Sequence, residues 1–581
     1  MIKLIILFYL LFLQPGPSFA SSKISIQSFN FAPTEAHTIP HHFEKLSNGQ
    51  INIHEDIRFS PKRYFHPYVQ NKGLSVADFN NDGFIDFAIS FPESISIYYN
   101  KNGKKFQKTT LQSEDTETII GIAPVDIDNN GFIDIVVTTF GQGDNYYIPN
   151  FDKGFIKNQW IPILNKGAVF SQSMSFLDID HNQLPDIFWG NAFLGIYSPH
   201  SSIRSKNYIV MNHQEIFKIL DLPSSPGETF SSLFTNINNS QKLFVVNYLA
   251  VPNFVYNIQP DSTVNEVKFP LLTSSSLSIS SLDINNDGRL DILSSQISNL
   301  GGNINKYAKT IDSSYCDNQN SINKNLCLKN IKYKSLNKTD LSKTASEVCQ
   351  NTKGNIQHEC QSLQKTKLAL FNNKIKLCQK IPKQHSSLKW ICQQGQALQH
   401  ESKKIVSKPT VQYNTLYLNN GDQFTDNLSK QYKISHTGWT WNFIAGDFNN
   451  DTFLDLHALN GSWQRHKVST NLYYENNHGK FFKENTKSIG LEEHKVSISG
   501  TAADFDNDGD LDMIYRSINS ELSIFKNNSP PSNSIKFRLN DHLGNRFCIG
   551  CQIKIFASSK QVQQWWLLNY LLKLEYVIPI L

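Results

Sequence analysis

Six nine-residue stretches of this 581-residue chain place oxygen-bearing side chains at the same four positions. Positions 1, 3, 5 and 9 are Asp78, Asn80, Asp82 and Asp86 in the first and Asp126, Asp128, Asn130 and Asp134 in the second. The third has Asp178, Asp180, Asn182 and Asp186, and the fourth Asp283, Asn285, Asp287 and Asp291. Asp447, Asn449, Asp451 and Asp455 form the fifth, Asp504, Asp506, Asp508 and Asp512 the last. Position 7 varies (Phe84, Phe132, Leu184, Arg289, Phe453, Asp510), so what it offers in common is a backbone carbonyl. Such oxygens can surround one hard cation, and glycine at position 6 permits the sharp turn. Ca2+ suits a flexible all-oxygen loop; Mg2+ prefers a tighter octahedron with retained waters.

An EF-hand would need a bidentate Glu at position 12 and a helix after the loop. Position 12 is instead Ile89, Val137, Trp189, Ser294, Ala458 and Tyr515, and β-branched and aromatic residues follow the loops. The loops therefore join strands. One Asp/Asn/Gly cluster would be an ordinary turn, but six copies with carboxylates at positions 1 and 9 read as metal loops. The Asp504 loop, with four ligating carboxylates and Gly509, is expected to be the strongest site. Gln183 and Thr452 stand where glycine is wanted, and a β-branched residue at φ > 0 is costly, so those two should bind less well. About four to six Ca2+ ions are expected in all.

The elements that must position these loops also repeat. A seventh copy, from Asn236 to Phe244, keeps the shape but has no carboxylate and should be empty. Copies start at 78, 126, 178, 236, 283, 447 and 504. Once a basic segment of about 110 residues is removed from the one long interval, the units measure about 50 residues each. A unit of that size is a small sheet that cannot bury both faces alone; arranged around an axis, the sheets bury one another. The segments Ile97–Phe106, Leu416–Phe424 and Leu472–Phe481 each read strand, Asn/Gly turn, strand, as blade hairpins would. Trp439 and Trp441, two apart in a strand, are expected to occupy both faces and pack between blades.

Residues 1–20 read as a secretory signal peptide: Lys3, the apolar run Leu4–Leu13, then Pro15-Gly16-Pro17 and small residues at Ser18 and Ala20. No later stretch is long and apolar enough to be an integral membrane segment. The protein is therefore expected to be secreted or periplasmic. A net charge of +5 is too weak for a nucleic-acid binder. It is unevenly placed: residues 301–410 hold 19 Lys and 6 acidic residues, a local +13 in a body of −8. The ordinary reading of a Lys-rich helical surface is a solvated face; the alternative is attraction to anionic surfaces or glycans. Six of the eight cysteines lie in that segment: Cys316, Cys327, Cys349, Cys360, Cys378 and Cys392. In an oxidising compartment they read as three disulfides with fifteen possible pairings. The spacing of eleven shared by Cys316/Cys327 and Cys349/Cys360 fits two similar stapled helical pieces. Cys548 and Cys551 have thioredoxin spacing but sit between strand-like runs, so a local disulfide or two free thiols is the better reading.

The D-x-[DN]-x-[DN]-G-x-x-D loops with their apolar strands resemble the FG-GAP/VCBS repeats of integrin-α-type β-propellers. Gly438-Trp439-Thr440-Trp441 and the Leu-Tyr-x-Asn-Asn-Gly hairpins are similar to bacterial relatives of cartilage acidic protein. In those relatives a small ASPIC/UnbV β-domain follows the propeller, and the stretch from Ser534 to Phe556 is similar to its start. Cys551 stands where that family usually has Ala, and the apolar stretch 565–581 replaces expected glycine-rich strands.

The expected fold class is thus all-β: a seven-bladed β-propeller with calcium loops, a disulfide-rich helical insertion and a small C-terminal β-domain. The expected division is a leader (1–20), an N-terminal segment with a candidate closing strand (21–70), repeats 1–5 (71–300), the Cys/Lys-rich helical insertion (301–410), repeats 6–7 (411–530) and a partial ASPIC/UnbV-like domain (531–581). The resemblance implies a calcium-binding interaction or adhesion module for an extracellular protein or glycan. Two alternatives stay open. One is a propeller-based polysaccharide lyase or hydrolase, although no catalytic motif is found. The other is a periplasmic assembly factor that binds through the insertion.

Overall fold

The computed structural model describes residues 42–579 apart from several stretches, the longest being 65–72, 162–168, 195–205, 297–308, 394–412, 536–546 and 567–577. The expected leader (1–20), Cys548 and Cys551 lie outside the described residues. Seven small antiparallel units follow one another among those described. The first consists of Leu74–Ala77, Asp86–Phe91, Ser94–Lys101 and Lys105–Gln112, paired in chain order. The others are variants of this meander: the fifth has three paired strands and the last takes its outer strand from residues 43–45. The second and third are joined into one larger sheet by a short pairing of Val169 with Gly141 and Phe170 with Phe140.

The first strands of the units (Leu74–Ala77, Thr118–Val125, Val169–Leu177, Thr229–Ile237, Ser276–Leu282, Thr440–Gly446 and Ser497–Ala503) pack side by side, and the last also meets the first. The fold is therefore a closed β-propeller. Second strands such as Asp291–Gln296 and Asp455–Asn460 are buried along their whole length, because a neighbouring blade covers each face. That explains the short apolar run after each loop. The outer strand Lys105–Gln112, by contrast, is mostly exposed. Inner strands crowd the axis and carry small residues. Ser232 reaches both Ser173 and Ser175 across the blade boundary at 2.7 Å, and a Cβ on Gly500 would stand 2.6 Å from the Cβ of Tyr515.

Residues 43–45 close the ring. Phe43–Lys45 pairs antiparallel with Ser523–Asn527 and becomes the outer strand of the last blade. Phe43 is buried edge-on against Phe448 at 5.8 Å and Tyr473 at 6.5 Å. Lys45 forms an ion pair with the buried Glu493, which also takes Lys495 at 2.8 Å and the Ser523 hydroxyl at 2.7 Å. Burial alone would raise the Glu493 carboxyl, but Lys495 and Lys45 bring it well below its usual range.

The fifth unit is interrupted between Asp291–Gln296 and Thr415–Tyr417, where the helical insertion leaves and returns. Its helices are α1 (Ser321–Tyr333), α2 (Ala345–Cys349), α3 (Gly354–Phe371) and α4 (Lys376–Gln379). Disulfides join Cys316–Cys327, Cys349–Cys360 and Cys378–Cys392, each to its neighbour in sequence. The spacing of eleven does not run along one helix, where it would span about 16 Å. It crosses between helical segments, which brings the Cα atoms within 5.9 Å in the Cys349–Cys360 pair.

The inner side of the insertion is apolar. Leu363, Leu370, Ile381 and Leu388 share one core cluster with Ile120, Phe170, Phe230, Leu277 and Ile498, which stand near the beginnings of five inner strands. Trp439 and Trp441 belong to the same cluster. Their rings stack at 6.2 Å on one side, which corrects the expectation that they occupy both faces: with a strand period of two, residues two apart point the same way. The insertion therefore caps the ring at the end where inner strands begin. The acidic loops follow the ends of those strands, at the opposite face.

The closing strand is the cheapest place to open the ring. Phe43→Ala should cost about 3–5 kcal/mol, read as a lowered denaturation midpoint of the whole propeller. A loss under about 1 kcal/mol would mean that the strand is peripheral to closure.

Candidate metal centres

Each acidic loop is wound in the same way. Position 9 is a buried aspartate at the start of the second strand. Its Oδ2 accepts the position-2 N–H, as Asp86 does from Phe79 at 2.9 Å and Asp134 from Ile127 at 2.9 Å. Position 1 accepts the N–H of position 6: Gly83 to Asp78 at 3.0 Å, Thr452 to Asp447 at 2.7 Å. The position-5 side chain accepts the position-7 N–H, as Asp82 does from Phe84 at 2.9 Å.

The left-handed turn at position 6 is present in all six loops, including Gln183 at φ 75° and Thr452 at φ 77°. Position 4 is left-handed as well: Asn81, Asn129, His181, Asn286, Asn450 and Asn507. The sequence reading passed over that position, although asparagine there was the signal, since its short side chain tolerates αL. Several of these asparagines also bridge to the next loop; Asn286 donates to the Thr452 carbonyl at 2.8 Å.

A second set of asparagines was also missed. Asn100, Asn150, Asn212, Asn419, Asn476 and Asn527 end or follow third strands, and each donates its backbone N–H to Oδ1 of the position-9 aspartate at 2.7–2.9 Å. Five of them donate the side-chain amide to the position-2 carbonyl of another blade's loop, at 2.7–2.9 Å. Asn419, facing the decayed copy, bonds to Asn238 instead. The hairpin signal contained three of these residues, but it assigned asparagine only to turns.

The Asn236 copy is a tight hairpin, with Ile237 opposite Ser240. Lys242, at position 7, donates to Asn257 at 2.6 Å.

The donor set fits a hard cation. In three loops carboxylate oxygens lie within 4.8 Å of one another: Asp126, Asp128 and Asp134; Asp178, Asp180 and Asp186; Asp504, Asp506 and Asp508. Asp178 Oδ1 and Asp506 Oδ1 are buried without a hydrogen bond, a state that a bound cation would relieve. In the other three loops position 3 is an amide (Asn80, Asn285, Asn449), and its oxygen accepts the position-5 N–H at 3.0–3.3 Å. The last loop differs from the rest. Lys526 stands against Asp506 and lies 3.1 Å from Asp508, so an ion there must displace an internal ammonium. Arg289 similarly lies 2.6 Å from Asp287.

Crowding leaves the carboxylates short of positive charge. Burial, then the neighbouring aspartates, pushes Asp86 up to about 8, and burial raises Asp126, Asp178 and Asp283 to about 7 and Asp186 and Asp447 to about 8. Asp134, Asp291, Asp455 and Asp512 are raised well above the ordinary range for the same first reason.

Fold and loops together define a β-propeller whose Asp-rich clusters could hold metal ions. The FG-GAP-like repeat family model matches residues 78–137, which span the first two loops. Among curated proteins, no sequence matches. Similar solved structures include the Dos1 propeller (8% identity, covering 78% of each chain, TM-score 0.39). The BP39L lectin from Burkholderia pseudomallei is 9% identical over 78% of this chain and 95% of its own, with a TM-score of 0.37. BBS1N in complex with ARL6DN is 11% identical over 39% of this chain and 75% of its own, with a TM-score of 0.25.

Two outcomes follow from the loops alone. Thr452→Gly removes a β-branched residue from φ 77° and should raise stability by about 1–2 kcal/mol, seen as a higher denaturation midpoint. An unchanged midpoint would mean that the turn carries no strain. The second outcome concerns pH. With no cation bound, the folded chain keeps protons that the unfolded chain releases near pH 4, so stability falls as pH rises from about 4 through 8. The melting temperature in EGTA should therefore drop from pH 5 to pH 8, with Ca2+ flattening the slope; a rise with pH would contradict the crowding.

Proposed function

We propose that this chain is an exported, calcium-stabilised seven-bladed propeller acting as an extracellular interaction module, with Ca2+ in a structural role and an extracellular protein or glycan as ligand. The observation that carries the reading is the six-fold recurrence of one loop geometry around a buried position-9 aspartate, with three carboxylates clustered in three of the loops. In this reading Ca2+ replaces protons on the crowded carboxylates and ties the loop to its blade. Export accords with the three disulfides, which persist in oxidising compartments, and no helix among the described residues is long and apolar enough to cross a membrane. We assign residues 71–300 and 411–530 to the propeller, 301–410 to an inserted cap and 531–581 to an ASPIC/UnbV-like domain. Within 531–581 the described strands pair as Gln552–Ala557 with Lys560–Trp566 and Ser534–Ile535 with Ile578–Pro579.

The test is thermal unfolding in EGTA and then in millimolar Ca2+, with calorimetric counting of bound ions. Extracellular loops of this kind bind at roughly 10⁻⁴–10⁻³ M, so several sites should fill together and raise the midpoint. About four to six ions are expected, and Lys526→Met should tighten binding at the last loop. No shift and no bound ion would overturn the calcium reading.

A further inference from the structure

The helical cap has two unlike sides. Its inner side, with Leu363, Leu370, Ile381 and Leu388, is spent on the propeller. The end of the ring where inner strands begin is thereby covered, and a partner approaching from there meets the cap. The acidic residues described in the cap are already engaged. Asp317 pairs with Lys324 at 2.9 Å and Asp340 with Lys343 at 3.4 Å. Glu347 takes the N–H of Thr344 at 2.6 Å, and Glu359 takes that of Lys62 at 3.1 Å.

Lys353, Lys374, Lys376, Lys380 and Lys383 are exposed and have no acidic partner among the described residues. Four of them fall within ten residues, on the segment that Cys378–Cys392 staples to the core. Nearby, burial and then the charges of Lys62 and His358 hold His385 below its ordinary value, with Glu93 opposing them.

We propose that the outer side of the cap, centred on Lys374, Lys376, Lys380 and Lys383, is the binding surface of this module and takes an acidic polysaccharide. The chemistry favours that partner over nucleic acid. Residues 301–410 contain no arginine, so the bidentate fork that reads phosphate and bases is missing. Lysines are hydrated point charges suited to diffuse carboxylates or sulfates along a chain. The segment is rigid, because a disulfide and buried Cys378, Ile381 and Leu388 anchor it, so less ordering entropy is lost on binding. The body of the molecule is acidic by comparison, which directs a polyanion to this side.

This assignment rests on the reading of the chain as an interaction module, and its test separates the two. Mature full-length protein is titrated with heparin and with polygalacturonate, in Ca2+ and in EGTA below the melting temperature. Dextran, duplex DNA and phosphatidylglycerol vesicles are run in parallel. Binding of the acidic polysaccharides is expected to weaken steeply with salt. The combined variant K374E/K376E/K380E/K383E should weaken it about tenfold or more, while K101E/K104E/K105E/K108E, an equal reversal on the first blade, should leave it unchanged. Retention of the wild-type melting temperature shows that the cap variant is folded, and the corresponding four-fold Lys→Gln variant serves should charge reversal unfold the cap. Equal binding by the cap variant, equal loss in the first-blade variant, tighter binding of DNA or vesicles, or no binding of either acidic polysaccharide would overturn the proposal. Failure of the calcium response with cap binding intact would overturn the metal reading alone.

Discussion

The structure hangs on a buried carboxylate. Asp86, Asp134, Asp186, Asp291, Asp455 and Asp512 each accept one N–H from their own loop and one from an asparagine of the third strand. Five of those asparagines then reach a carbonyl in another blade. One group thus fixes the loop, the hairpin beside it and, through its partner, the neighbouring sheet. A buried carboxylate is tolerated only where hydrogen bonds or a counter-ion compensate it, so the loop and the blade boundary are aspects of one constraint. A similar device holds the opposite end of the blades. Asn145, Asn207, Asn253, Asn414 and Asn471 each accept a second-strand N–H and donate to a hydroxyl in the region where the next blade begins.

Much of this was legible in the residues. The Asp pattern announced the loops because four positions in nine recur, and the apolar run after each loop announced a doubly covered strand. The girdle asparagines escaped notice because their partners are backbone atoms of another unit: nothing near Asn476 in sequence points to the Ile284 carbonyl 192 residues away. Lys526 escaped for a similar reason, since it lies 18 residues beyond Asp508 and meets it only through a hairpin. The pairing of cysteines was open because spacing alone cannot tell a staple along a helix from one between helices.

The cap changes what the ring can offer. A bare propeller presents a funnel lined by the beginnings of its inner strands; here that funnel is filled by Leu363, Leu370 and their neighbours, with two tryptophans beneath. Even Lys367 is drawn in, and burial lowers its ammonium to about 8. Phe59 packs with Tyr333 and Cys360, so the segment that follows the closing strand is also clamped to the cap. On that side the ring presents a stapled helical surface in place of its blade loops.

The closing strand has a consequence for how the molecule is made. Residues 43–45 leave the ribosome before any blade, yet their partner strand is the last of the ring. Throughout synthesis the first segment must remain unpaired, with Phe43 uncovered, while more than four hundred residues follow it. The earlier blades can stack as an open arc in that interval, but the circle is sealed only when the last strand has arrived. Completion is therefore a late, all-or-none event, and a chain interrupted before residue 527 would be left with an open arc.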